Sequence, residues 1–278
     1  MNSVLNLRNN LQAFRELILL LTRHRQLTLE MAKREIYDRY AGQFFGVFWT
    51  LGHPLTLMLV YVFVFGFIFK VKVGGTAEMP LDYTTYLLSG LIPWMAFIDS
   101  MSKASTVIIA NSSLVKQVVF PIEVLPVKGV IAVLVTQCII TGLLIIYVLV
   151  GQQILIWTYL LLPVVFILQV LSMIGVSYIL SAISVYFRDI KDLVQVFSIT
   201  GVYLMPTFYL PESVPEAFRR LLYINPFSYL IWCYQDVFYF GKFAHPYAWP
   251  VFTVMSISVF IIGYRLFRKL KVMFGNVL

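Results

Sequence analysis

The sequence predicts an all-α membrane protein: six transmembrane helices per protomer, an N-terminal amphipathic interface helix before the first, and short re-entrant helices between spans 5 and 6. Three observations carry that prediction. Sixty per cent of the 278 residues are apolar and 12% are charged, against about 45–50% and about 25% in soluble domains. Mean hydropathy is correspondingly high, +0.85. Uncharged stretches of spanning length also recur along the chain, since about 20 residues rising roughly 1.5 Å each cross a ~30 Å hydrocarbon core. Finally, the net charge of +8 is crowded beside those stretches. In a soluble chain it would suggest nucleic acid; placed as it is, it points to anionic membrane lipids and a cytoplasmic partner.

Two regions follow. Residues 1–45 read as a cytoplasmic amphipathic interface region, and residues 46–278 as the transmembrane domain. In the first, Leu11, Phe14, Ile18 and Leu21 recur at helical spacing, with Arg15, Glu16, Arg23 and Arg25 elsewhere on the cylinder. A basic amphipathic segment before a span lies in the membrane–water interface. The apolar patch at 17–21 is too short for a secretory signal and runs straight into Arg23, His24 and Arg25.

The first span covers 46–69 without a formal charge, and 70–82 is a polar break with a Gly-Gly pair. The second, 83–109, contains Pro93, Asp99 and Lys103; a polar stretch with two prolines follows at 111–128. The third runs 129–150 and the fourth 159–186. After a charged turn at 188–192 comes the fifth, 193–210, and the sixth covers 247–267. Between the last two, 227–240 is strongly apolar but about 14 residues long, the length of a re-entrant or interfacial helix. Asn225-Pro226 separates it from the amphipathic stretch before it.

Orientation follows from the cations. With the N-terminus inside, only Lys70, Lys72, Arg219, Arg220 and Lys242 fall outside, leaving sixteen of the 21 Lys and Arg in the cytoplasm. The positive-inside rule therefore puts both termini in the cytoplasm. Cys138 and Cys233 both sit in apolar runs and read as unpaired buried thiols. No Walker A loop, HExxH, cysteine-rich metal spacing or G-x-S-x-G elbow occurs, which argues against an enzyme and against a bound nucleotide or metal.

Three clusters carry more information. Arg34, Glu35, Tyr37, Arg39 and Tyr40, then Phe45, Gly46 and Trp49, place cations and aromatic rings directly before the first span. Two readings fit: an interfacial anchor with an aromatic belt, or an entry site for an anionic lipid-linked substrate, with Arg39 pairing a phosphate. Asp99 and Lys103, after Pro93-Trp94, are four residues apart and able to pair along one helix face; alternatively Lys103 snorkels to the inner surface. The segment 111–126 includes Lys116, Phe120 and Glu123 and is closed by Pro121 and Pro126. It reads either as a connecting loop or, from its apolar content, as a surface for a partner protein.

At this point the motifs resemble a family. R-E-I-Y-D-R-Y, G-V-F-W-T-L-G-H-P, L-L-S-G-L-I-P-W-M-A-F, N-S-S-L-V-K-Q-V-V-F-P-I-E-V-L-P, Y-F-R-D-I-K-D and I-N-P-F-S-Y occur in that order. Together they resemble the ABC-2 type permeases that export bacterial polysaccharides. The chain departs from the family at Phe45-Gly46 and His53-Pro54, where Leu-Gly and Asn-Pro are common.

The resemblance implies a homodimer in the bacterial inner membrane with a channel between its protomers. It also implies a separate cytoplasmic ATP-binding subunit that carries ATP and Mg, this chain binding no cofactor itself. Arg34, Glu35, Tyr37, Lys116, Phe120 and Glu123 would couple to that ATPase. Arg39, Tyr40, Phe45 and Gly46 would form the substrate entry, and Trp94, Asp99, Lys103, Tyr203 and Tyr229 the channel and gate. The substrate implied is a polyprenyl-pyrophosphate-linked polysaccharide; F-P-I-E and F-R-D-I favour O-antigen over capsule or teichoic acid. Seventeen Tyr and five Trp suit such a conduit, since their rings offer flat apolar faces and polar edges. The alternatives from other classes are a membrane glycosyl- or acyltransferase and a passive channel.

Overall fold

The computed structural model describes residues 19, 22–39, 41–68, 81–116, 120–153 and 156–278. Tyr40, the stripe Leu11, Phe14, Ile18 and Leu21, the Gly-Gly break and residues 117–119 lie outside them. Among the described residues the chain is all-helical, with no strand. In chain order the longer helices are α1 (Arg25–Arg39), α2 (Trp49–Tyr61), α3 (Tyr83–Ala110), α4 (Val124–Gln152) and α5 (Leu162–Ser184). Then follow α6 (Ile190–Gly201), α7 (Glu216–Ile224), α8 (Pro226–Gln235) and α9 (Ala248–Leu270). Wider π-type turns extend α2 over Val62–Ile68 and α8 over Asp236–Phe240.

Among the described residues three helical segments are long and apolar enough to cross a bilayer: Val124–Gly151, Trp157–Ser184 and Ala248–Val277. They establish a multi-pass membrane protein. α3, which carries Asp99 and Lys103 within an otherwise apolar helix, packs against α4, α5, α6 and α8. Of its 28 residues 19 are buried. That position explains its composition: polar and charged groups inside a membrane are tolerated where they face protein or a wet cavity.

α5 and α9 cross at glycines. A Cβ added at Gly263 would lie 2.2 Å from the Gly175 carbonyl oxygen, and one at Gly175 would lie 2.6 Å from the Phe260 backbone nitrogen. Small residues let helix backbones approach this closely, and dispersion contacts then hold the pair in a lipid that offers no hydrophobic drive. At the cytoplasm-predicted end of the same pair, Phe267 and Phe274 are fully buried and the Tyr186 hydroxyl donates to the Leu270 carbonyl at 3.1 Å.

Several boundaries differ from expectation. α4 begins five residues before the expected 129, because Pro126 falls in its first turn, where a missing N–H costs nothing. The stretch expected to form a fifth span to 210 is helical only to Gly201 and through one 3₁₀ turn, Val202–Leu204. Met205 is extended (φ −126°, ψ 154°), as a residue before proline prefers. The irregular backbone that follows is satisfied from α3 and α8. Tyr83 donates to the Phe208 carbonyl (2.7 Å), Tyr86 to those of Pro206 and Tyr209 (3.0 and 2.9 Å), and Gln235 to that of Pro206 (2.7 Å). Non-helical backbone survives at membrane depth only when buried in protein in this way.

Two short helices, α7 and α8, come after that stretch, and α8 is core: Leu230, Ile231, Trp232, Cys233 and Tyr234 are buried. Cys138, by contrast, is exposed and only Cys233 is buried, both unpaired. An apolar run does not say which face of a helix turns outward.

Candidate functional site

The inner face of α1 is Thr28, Ala32 and Glu35, with Thr28 and Ala32 buried. Residues 28, 32, 35 and 39 lie on one side of a 3.6-residue helix. Small and polar groups occupy that side, so α1 is held by specific ion pairs rather than by a hydrophobic stripe. Glu35 bridges Lys103 on α3 (3.2 Å) and Lys128 on α4 (3.3 Å), and Arg39 reaches Asp99 on α3 at 3.1 Å.

The expected Asp99–Lys103 pair is therefore replaced. Each residue instead bonds across to α1, which presents a carboxylate and a guanidinium one turn apart. Lys103 is 20% exposed and does not snorkel free.

Beyond Arg39 the chain turns at Gly42 and Gly46, both with positive φ (77° and 48°), a region glycine occupies without strain. The turn sets Phe45, 57% exposed, against Trp49 with ring centroids 5.7 Å apart. Here a cleft of about 930 Å³ opens between α2, α3, α4 and α6. Its lining is graded. Arg39, Gln43, Asp99, Ser102, Lys191 and Gln195 lie toward one end; Leu57, Ile92, Met95, Ile140 and Ile199 line much of the rest, with Thr136, Gln137 and Ser198 among them and Trp49 and the buried Trp94 at the wall.

The Trp94 ring is otherwise buried, edge-on to Phe197 (5.6 Å) and Phe227 (5.4 Å). Gly201 gives it room: a Cβ there would meet the indole at 2.8 Å.

Gln137, at the cleft wall, anchors a buried polar network. It donates to Gln169 (2.7 Å) and to the Tyr234 hydroxyl (3.2 Å); Gln169 donates to the Pro93 carbonyl (3.3 Å), and Tyr234 donates to Gln169. Four helices are thus tied where Pro93 interrupts the α3 hydrogen-bond ladder. A buried carboxylate, Asp236, accepts from the backbone N–H of His245 (3.2 Å), pairs with its ring Nδ1 (2.9 Å) and accepts from Trp249 (3.0 Å). Among the described residues no group of three or more His, Cys, Asp and Glu gathers to hold a metal.

Of the residues singled out from sequence, the cleft brings together Arg39, Trp94 and Asp99; Phe45 meets it only through its contact with Trp49, and Gly46 is not in its lining. Lys103 lies behind it with Glu35. Tyr203, 67% exposed, stacks on Phe208, and the Tyr229 hydroxyl donates to the Tyr223 carbonyl; neither lines the cleft. Tyr40 lies outside the described residues.

The coupling candidates divide. Arg34, Tyr37 and Lys116 are exposed, whereas Phe120 packs against the core. Glu123 is buried: its carboxylate pairs with Lys271 and its carbonyl accepts from the Tyr178 hydroxyl at 3.0 Å. Gln137, Gln169 and Lys191 were not selected from sequence. The signal for the glutamines was available, since an amide in an uncharged spanning run is costly unless it finds a partner.

The chain is 27% identical over 256 residues to an O-antigen export system permease protein of Klebsiella pneumoniae, covering 91% of this chain and 95% of that one. It is 28% identical over 244 residues to the O-antigen export system permease protein of Myxococcus xanthus, covering 87% and 90%. A polysialic acid transport protein of Escherichia coli matches at 21% over 238 residues, covering 84% and 90%. The family model for ABC-2 type transporters matches residues 26–239, from the second residue of α1 to the wide turns after α8. The chain belongs to the ABC-2 type transporter membrane family.

Proposed function

We propose that this chain is the membrane subunit of an ATP-driven exporter that moves a polyprenyl-pyrophosphate-linked polysaccharide, O-antigen in particular, across the bacterial inner membrane. The observation that carries the reading is the graded cleft: Arg39 and Lys191 toward one end, and along the rest a mainly apolar wall interrupted by Thr136, Gln137 and Ser198 and edged by the Trp49 indole. A lipid-linked sugar has the same three parts, an anionic bridge, a hydrocarbon tail and a glycan. Relatives of matching length are named for O-antigen export at 27–28% identity and, more distantly, for polysialic acid transport, which favours O-antigen over capsule. A glycosyl- or acyltransferase would need reacting side chains, and the cleft offers one carboxylate already engaged by Arg39.

In this reading the chain spans the membrane six times, α7 and α8 are re-entrant, and both termini are cytoplasmic. Residues 1–45 form the interface region, and two copies enclose the channel, with Tyr203 and Tyr229 on its gate. A separate subunit binds ATP and Mg, docks on the exposed Arg34, Tyr37 and Lys116, and couples through Glu35, Phe120 and Glu123 to bias a two-state gate. Glu123 acts from within, through its pair with Lys271.

The test is export in cells lacking the native permease. With the ATP-binding subunit present, the chain restores surface polysaccharide; without it, none appears. The double variant Phe120→Ala/Glu123→Ala is expected to insert normally while ATP hydrolysis continues without export. Normal export by that variant removes the coupling assignment, and export without the ATPase removes the reading itself.

A further inference from the structure

We infer that Asp99 is a built-in stand-in for the ligand's anion, holding Arg39 until a phosphate displaces it, and that Lys191 is the second cation of the site. The inference deepens the proposed function and rests on it. Arg39 donates to Asp99 at 3.1 Å across 60 residues of sequence, with the side chains 47% and 32% exposed on the cleft. The pair is thus neither sealed in the core nor loose in solvent; an entering anion reaches it.

Lys191 lines the same end of the cleft from the first turn of α6 and makes no ion pair among the described residues. The cleft lining thus carries two cations, Arg39 and Lys191, to one carboxylate, an excess of positive charge that a pyrophosphate bridge fills. Gln43, Ser102 and Gln195 line the same end and supply further donors. Guanidinium binds carboxylate and phosphate with the same fork of N–H groups, so exchanging one for the other requires little rearrangement of Arg39.

The experiment uses the full chain in phosphatidylcholine nanodiscs, titrated with a radiolabelled short polyprenyl pyrophosphate. Asp99→Asn, which keeps the shape and removes the competing charge, is expected to tighten binding about two- to fivefold, the range for a partly exposed ion pair. Asp99→Glu, which keeps the competing charge, does not tighten binding. Lys191→Ala weakens binding by about three- to tenfold and flattens its salt dependence.

Unchanged or weaker binding in Asp99→Asn overturns the stand-in role, and unchanged binding in Lys191→Ala removes the second cation. Competition by inorganic pyrophosphate identifies phosphate itself as what is recognised; competition only by phosphatidylglycerol identifies a headgroup presented from the bilayer. Both support a phosphate site, and competition by neither overturns it. Binding by the unaltered chain with no response in the variants leaves the export reading standing; no binding by the unaltered chain removes both.

Discussion

The α5–α9 crossing and the α1 flank are built on opposite principles. At the crossing, Gly175 and Gly263 bring two backbones into contact and aromatic rings fill the space beside them, Tyr178 against Tyr264 and Phe267 at 5.7 and 5.0 Å. Contact there is short-ranged and has one register, because close-packed surfaces do not slide. Along α1, attachment rests on Glu35 and Arg39 reaching over to Lys103, Lys128 and Asp99, with only Thr28 and Ala32 buried. Ion pairs break and reform at modest cost when water or another anion is at hand. The contrast divides the molecule into a fixed frame and an adjustable flank, and the cleft lies on the adjustable side.

The largest effect belongs to the frame. Gly263→Ala sets a methyl carbon 2.2 Å from a backbone oxygen that has no side-chain freedom to retreat. The helices must separate along their whole contact, costing about 1–3 kcal/mol and, for backbone against backbone, more. A sharp fall in the detergent melting midpoint and loss of the monodisperse species are expected. A midpoint within experimental error of the unaltered chain means that the crossing is not the frame.

Glu35→Ala tests the flank and is expected to come second. It leaves two ammonium groups, 20% and 12% exposed, without their shared carboxylate. Charged hydrogen bonds of this kind are worth about 1.5–3 kcal/mol. Because the frame does not depend on them, the loss is local. Protease cleavage within α1 accelerates while the global melting midpoint moves little. If both readouts shift together, α1 belongs to the frame and the division fails.

The same division governs how much was legible in the sequence. Long uncharged runs announce spans, and those of α4 and α5 with the sixth emerged as helices near their expected limits because local composition fixes them. Partner choice between helices is not local. Asp99 and Lys103 sit four apart, the spacing of an intrahelical pair, and nothing in their neighbourhood says that α1 arrives with the complementary charges. The fifth span was drawn too long for a related reason: 202–210 is apolar enough to continue a helix, and the carbonyls that break it are satisfied from residues more than a hundred positions away. The cleft was half visible. Arg39, Trp94 and Asp99 stood out as charge or indole in an apolar setting, whereas Lys191 looked like one cation in an ordinary charged turn until α6 packed against α3.

The smallest effect sharpens the comparison most. Arg34 is one residue from Glu35 and also makes an ion pair, with Asp38 at 3.4 Å, but its side chain is 82% exposed and that of Asp38 is 66% exposed. An exposed i,i+4 pair contributes about 0.3–0.5 kcal/mol, and neither partner touches α3 or α4 through it. Arg34→Ala should therefore leave both the melting midpoint and the cleavage rate within α1 unchanged, where Glu35→Ala changes the second. Neighbouring residues with the same kind of bond then differ in effect solely through what the bond spans. Equal acceleration of cleavage by both variants would mean that α1 responds to its own helical propensity, and that the bridges to Lys103 and Lys128 do not hold it in place.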